Sequence, residues 1–177
     1  MQRECKIVES LTLDYIIGLF DGEGCISIGF ASKYDYKKSR RSWWPYVKVT
    51  IANSNLAVLR KIRGYFKMGK IYTMKPEWFK GTRKGGDCYR LDIMDVNDVL
   101  RFFDVIDQIV FIKREEVGLG KEACRYILEN RPHGQGWSEV KLVFFKANFV
   151  DKLPTLPNSR RAKGRGRKRK IALLSQD

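Results

Sequence analysis

Residues 16–24 read Ile-Ile-Gly-Leu-Phe-Asp-Gly-Glu-Gly, an apolar run that ends abruptly in carboxylates alternating with glycines. Asp21 and Glu23 are the groups here with chemistry to offer. Carboxylate oxygens suit hard divalent cations, and such cations suit phosphodiester cleavage. The spacing adds a way of bringing carboxylates from two chains together. Gly18 and Gly22 are four apart, so on a helix they share one face and leave it without side chains. A second backbone can approach such a face closely. Asp21 and Glu23 then stand at the end of that contact.

The elements that must position these groups are readable from hydrophobic periodicity. Leu13, Ile16, Ile17 and Phe20 form the stripe of a helix that starts at Thr12 or Asp14 and is stopped by Gly22 to Gly24. A strand follows, with Ile26, Ile28 and Phe30 alternating with Ser27, Gly29 and Ala31. A polar, basic loop from Ser32 to Ser42 leads through Trp43, Trp44 and Pro45 to a second strand. There Val47, Val49 and Ile51 alternate with Tyr46, Lys48 and Thr50. Asn53 and Ser54 suit the N-cap of a helix from about Asn55 to Lys67, stopped by Gly69. Short strands at residues 70–74 and 88–93 flank a Gly- and Lys-rich loop. A helix containing Val99, Leu100, Phe103 and Ile106 comes next, then a long one from about Lys113 to Asn130, and a last one from Ser138 to about Val150. The order is α-β-β-α-β-β-α with extra C-terminal helices, an α+β fold. Its two hairpins make one antiparallel sheet, apolar on one face and polar on the other. Residues 1–153 read as one domain and 154–177 as a basic tail, expected to be a phosphate-binding extension that wraps DNA, orders on binding or serves as a nonspecific anchor.

The nonapeptide 16–24, with Tyr15 before it, resembles the LAGLIDADG motif of homing endonucleases: apolar, apolar, Gly18, apolar, apolar, Asp21, Gly22, Glu23, Gly24. The element order over about residues 10–150 is similar to that family as well. No second copy of the motif is present, Gly118-Leu-Gly120 being the nearest and lacking the acids. A single-motif chain of this length resembles the homodimeric branch. The resemblance implies a double-stranded DNA substrate with a long pseudo-palindromic target, cut across the minor groove to leave a staggered break. It implies Mg2+ as cofactor, with two or more divalent ions per dimer. Glu23 matches the acid that holds the metal, with the Gly22 carbonyl as a further ligand. Gly18, Gly22 and Asp21 fall at the dimer interface. Asn53 matches a polar residue that organises water, although helix capping explains it equally well. Lys113 matches a lysine near the scissile phosphate, with Arg114 as the competing register. Glu23, Lys113 and Asn53 are the catalytic candidates. An RNA-binding intron maturase and a catalytically silent DNA-binding regulator of the same fold are the alternatives, so RNA stays a possible partner.

Charge agrees with a polyanionic partner. Lys and Arg number 35 against 20 Asp and Glu, a net charge of +15. Eight of these basic residues lie between Arg160 and Lys170, and without them the remainder is still basic. From Tyr36 to Lys70 there are ten Lys or Arg and no acid. Such one-sided charge suits phosphate contacts. The polar strand faces offer Ser27, Lys33, Tyr46, Lys48, Thr50, Tyr72, Arg90 and Asp92, a mixed set suited to reading base edges in the major groove. Arg40, Arg41, Lys75 and Arg83 in the loops, and Arg160, Arg161, Lys163 and Arg165 in the tail, complete the DNA-binding candidates. Trp43 and Trp44 either stack on bases or pack locally.

Other classes are excluded. Cys5, Cys25, Cys88 and Cys124 are scattered and only His133 could assist them, so neither zinc nor a disulfide framework is expected. No apolar run approaches the roughly 20 residues that span a bilayer. Acids at Glu4, Glu9 and Asp14 are unlike a targeting peptide, and an intracellular location is expected.

Overall fold

The computed structural model describes residues 11–35, 40–74, 88–132 and 136–156. Helix α1 (Leu13–Glu23) leads into strands β1 (Gly24–Asp35) and β2 (Arg40–Asn53). Helix α2 (Leu56–Phe66) and strands β3 (Lys70–Met74) and β4 (Cys88–Ile93) repeat that pattern, and helix α3 (Val96–Ile106) follows. Helices α4 (Arg114–Asn130) and α5 (Glu139–Phe145) follow, the latter continued by a π turn at Lys146–Val150 and a 3-10 turn at Leu153–Thr155. The strands form one antiparallel sheet in the order β1-β2-β4-β3.

Alternation along the strands divides the molecule into two layers. Ile26, Ile28, Val47, Val49, Ile51, Leu91 and Ile93 are buried on one face. The helices cover them with Ile16, Phe20, Leu59, Ile62, Phe102 and Phe103. Phe20 and Phe102 meet edge to face at 5.3 Å, so the first helix is locked into this core by its largest side chain. Among the described residues no helix covers the opposite sheet face, and polar side chains project from it. Among the described residues no helix is long and apolar enough to cross a membrane. Cys124 lies within the core, and burial pushes its thiol up to about 12, which keeps it protonated and inert.

The αββαββα order, with its extra C-terminal helices, is as the sequence predicts, but several boundaries differ: α1 continues through Gly22 to Glu23, and β1 runs on to Asp35 where a loop from Ser32 is expected. Strand β2 starts at Arg40, so Trp43, Trp44 and Pro45 are strand residues rather than loop. Pro45 is tolerated because β4 pairs only with residues 49–53, leaving β2 a single neighbour at this point. The α2 N-cap is Asn55, whose side chain accepts the Ala57 N–H at 3.0 Å. Asn53 instead accepts the Asn55 N–H at 2.8 Å and makes the turn that precedes the helix. Helix α2 closes at Phe66, within a residue of its expected end, and its cap Lys67 takes the left-handed conformation (φ 54) two residues before Gly69.

Candidate nucleic-acid interface and catalytic end of the first helix

The glycine-acid motif occupies the second half of α1 and its exit. Thr12 caps the helix through its hydroxyl, which accepts the Tyr15 N–H at 3.3 Å. Ile16, Ile17 and Phe20 turn inward, while Gly18 and Gly22 are exposed. Among the described residues, a Cβ added at either glycine meets nothing within 4 Å, so neither is needed for packing against them. Gly24 is a different case. A Cβ there falls 2.3 Å from the Phe20 ring and 2.4 Å from its carbonyl oxygen, so only glycine lets β1 leave the helix at this angle.

The two acids of the motif diverge. Asp21 turns across the molecule, where its Oδ2 accepts the N–H groups of Phe111 at 2.9 Å and Ile112 at 3.2 Å. Its Oδ1 accepts the N–H of Lys113 at 3.2 Å. One carboxylate thus satisfies three donors at the start of α4, where no side chain from that helix does so. Lys113 returns the contact. Its buried ammonium donates to the Asp21 carbonyl and lies 5.8 Å from the centre of the Phe20 ring. A cation held there complements the negative end of the α1 dipole. Glu23 closes α1 and is exposed. Glu23, Gly22, Asp21 and Lys113 therefore meet at one end of α1. Asn53 stands at the nearby end of β2, two residues beyond the Gly24–Ile51 pair. Phe111 and Ile112, both exposed, lie at this end beside the Asp21 carboxylate, and Tyr15 is exposed in the first turn of α1.

The open sheet face carries the residues expected to meet DNA. Ser27 pairs with Lys48, and Thr50 pairs with Asp92, which in turn pairs with Lys70. Arg90 lies between Ala52 and Tyr72. Its guanidinium carbon is 5.3 Å from the Tyr72 ring centre. Asp92 departs from the expectation of a base-facing residue, because its side chain is only 3% exposed. It is enclosed by its neighbours instead. Thr50 Oγ1 donates to its Oδ1 at 2.9 Å, Arg90 Nε lies 3.1 Å from its Oδ2, and Lys48 Nζ is 4.0 Å away. Arg41 and Trp43 stack at 6.0 Å, while Trp44 is exposed on the Tyr46 and Lys48 side of β2. Lys33 and Arg40 occupy β1 and β2. Lys75, Arg83, Arg160, Arg161, Lys163 and Arg165 lie outside the described residues.

One feature is visible only in three dimensions. Arg60 and Arg63 of α2 and its cap residue Lys67 line a groove of about 1000 Å³ with Lys70 and Tyr72 of β3, and Asp92, Asp95 and Asp98 line it too. The helical spacing of the first three was readable, but not that β3 brings them level with the sheet face. Among the described residues no three His, Cys, Asp or Glu side chains gather to hold a metal. One protomer thus offers one exposed carboxylate at this end of α1, which fits a cation completed by phosphate oxygens, water and a second carboxylate from another chain.

The LAGLIDADG endonuclease family model matches residues 16–105, just over half of the 177-residue chain. The chain belongs to the LAGLIDADG endonuclease family. Solved structures with this architecture include the homing endonuclease I-CvuI in complex with its target, at 14% identity and TM-score 0.60, covering 84% of this chain and 83% of that one. The homing endonuclease I-TnaI matches at 16% identity and TM-score 0.59, over 80% of this chain and 88% of that one. The LAGLIDADG meganuclease I-CpaMI bound to uncleaved DNA matches at 17% identity and TM-score 0.52, over 80% of this chain but 50% of that one. At such identities these likenesses establish the LAGLIDADG fold. No curated protein matches the sequence. LAGLIDADG endonucleases are a DNA-binding family that uses divalent metal ions.

Proposed function

We propose that this protein is a homodimeric, magnesium-dependent endonuclease that cuts both strands of a long pseudo-palindromic DNA site. The observation that carries this reading is the exposed Glu23 at the foot of a helix whose glycine face is open. Two copies of α1 packed through Gly18 and Gly22 bring two Glu23 carboxylates to the twofold axis. The apolar neighbours Tyr15, Phe111 and Ile112 extend that contact. I-CpaMI, of which this chain covers half, supports a working unit of two such folds.

Each part of the chain then has a task. The polar sheet face enters the major groove and reads bases, while Arg60, Arg63, Lys67 and Lys70 follow the phosphates beside it. Glu23 and the Gly22 carbonyl hold the divalent ion, which activates water and stabilises phosphate charge when bound. Lys113, fixed by the Asp21 carbonyl, adds positive charge at the same end of α1 and favours the extra negative charge that develops on the phosphate. Asn53 keeps its amide donors for a water, since its oxygen is taken by the Asn55 N–H. Asp21 acts on geometry, holding the α4 start against α1. The basic tail adds phosphate contacts.

The test uses a randomised duplex library of roughly 20 base pairs, the scale of two half-sites one helical turn apart. Wild-type protein with magnesium should leave staggered ends at one pseudo-palindromic sequence, and Glu23→Gln should bind that sequence without cutting it. Selection of a sequence by wild type with no magnesium-dependent cutting sinks the nuclease reading.

A further inference from the structure

The buried Asp92 is an unusual member of a surface meant to face a polyanion. A carboxylate there repels phosphates and, being enclosed, contacts no base. Its geometry gives it another task. Arg90 and Asp92 are two apart on β4 and share a face. Arg90 Nε is itself buried, 3.1 Å from Asp92 Oδ2, in ion-pair rather than hydrogen-bond geometry. The Nη nitrogens are not buried and have no hydrogen-bond partner among the described residues. The Tyr72 ring lies against the guanidinium on one side, and Ala52 leaves space on the other. Thr50 braces the second Asp92 oxygen at 2.9 Å, so the carboxylate cannot swing out to follow a displaced arginine.

We propose that Arg90 reads a guanine and that Asp92 is the positioning residue that sets its guanidinium for that purpose. With Nε turned inward to the acid, the two Nη groups present a planar fork to the groove, matching the O6 and N7 acceptors of guanine. The inference rests on the sheet being the DNA-reading face. It also places the guanine. The Ala52–Arg90–Tyr72 row is one residue beyond the row containing Gly24, the first residue after Glu23. Arg90 is two strands across from β1, about 10 Å at the usual strand spacing. The guanine therefore belongs to the inner part of each half-site, beside the cut.

The experiment selects binding sites from randomised duplex DNA without magnesium, using wild type, Arg90→Ala, Asp92→Asn, Thr50→Val and the Arg90→Ala/Asp92→Asn double variant. Wild type should select one guanine, repeated by symmetry in both half-sites. Arg90→Ala and Asp92→Asn should each weaken that preference about tenfold, the scale of a lost bidentate contact, and leave other positions sharp. The double variant should be no flatter than Arg90→Ala. Thr50→Val, which keeps the carboxylate, should give a smaller loss at the same position. Affinity for nonspecific DNA should not fall in Asp92→Asn, because the substitution removes a negative charge from a basic face. Equal weakening at every position, or an unchanged guanine preference in Asp92→Asn, overturns the assignment while leaving the nuclease reading intact. A wild type that selects no sequence overturns the DNA-reading role of the sheet, and this assignment with it.

Discussion

Replacing Gly18 by alanine should move two measurable quantities in opposite directions. Among the described residues of one protomer the new methyl meets nothing within 4 Å, so none of them clashes with it. A glycine in a helix interior is less favourable than alanine by about 1 kcal/mol, and the variant protomer gains that amount. For a chain of this size the gain corresponds to a rise in Tm of about 3 °C. Across a symmetric contact the same substitution inserts two methyls where backbones touch. Overpacking costs about 1–3 kcal/mol per site, so the dimer loses about 2–6 kcal/mol. Its Kd should rise between roughly 30-fold and 10⁴-fold. Sedimentation over a concentration series reads the association, and melts at the lowest concentration read the protomer alone, because dimer formation otherwise raises Tm by mass action. Cleavage should fail at low protein concentration and recover at high concentration. Unchanged association would refute the α1 contact. A less stable protomer would refute the claim that Gly18 has no packing duty of its own.

Three further outcomes follow from particular contacts. Asp21→Ala removes the acceptor for three N–H groups at the α4 start, and should cost about 2–3 kcal/mol in urea unfolding; a loss below about 0.5 kcal/mol contradicts the capping role. Gly24→Ala sets a methyl against the Phe20 backbone oxygen as well as its ring, so side-chain rotation alone cannot relieve it. It should cost about 1–3 kcal/mol or more, and a wild-type urea midpoint counts against this. Lys121 donates to Asp107 at 2.8 Å and lies 2.9 Å from Asp104, contacts that raise its pKa from 10.5 and tie α4 to α3. Because the folded value is the higher one, this stabilisation is fully present below pH 10.5 and fades as pH rises through the folded value. Lys121→Met should therefore cost up to about 1 kcal/mol near neutrality, since both carboxylates face solvent. The gap from wild type should close at strongly alkaline pH, and a gap that persists there rules the ion pairs out as its source.

Local signals carried most of the fold. Thr12 caps α1 as its residue type suggests, and strands β3 and β4 fall where alternation places them, because their patterns are set by neighbours in sequence. Signals that depend on distant chain were not readable. Asp21 finds its donors 90 to 92 residues away, so its hold on the α4 start was not readable, and the family resemblance placed it only at the dimer interface. Asp92 looked like any polar residue on an open strand face, and its burial comes from Thr50 and Arg90 closing over it. Likewise Pro45 reads as a strand breaker until β4 proves too short to reach it. Asn53, Ser54 and Asn55 are three adjacent capping types, and the choice among them was made by the last turn of β2 rather than by propensity.

The separation of the two motif acids has an evolutionary consequence. Asp21 is committed to holding α1 and α4 together, whereas Glu23 ends its helix in the open. On the proposed function, a codon change at Glu23 removes the metal ligand and leaves the described contacts of the fold in place, while one at Asp21 removes the acceptor at the α4 start. A lineage released from selection for cutting would then lose Glu23 first and keep a folded DNA ligand. On that same reading, an endonuclease and a DNA-binding regulator lie one nucleotide substitution apart.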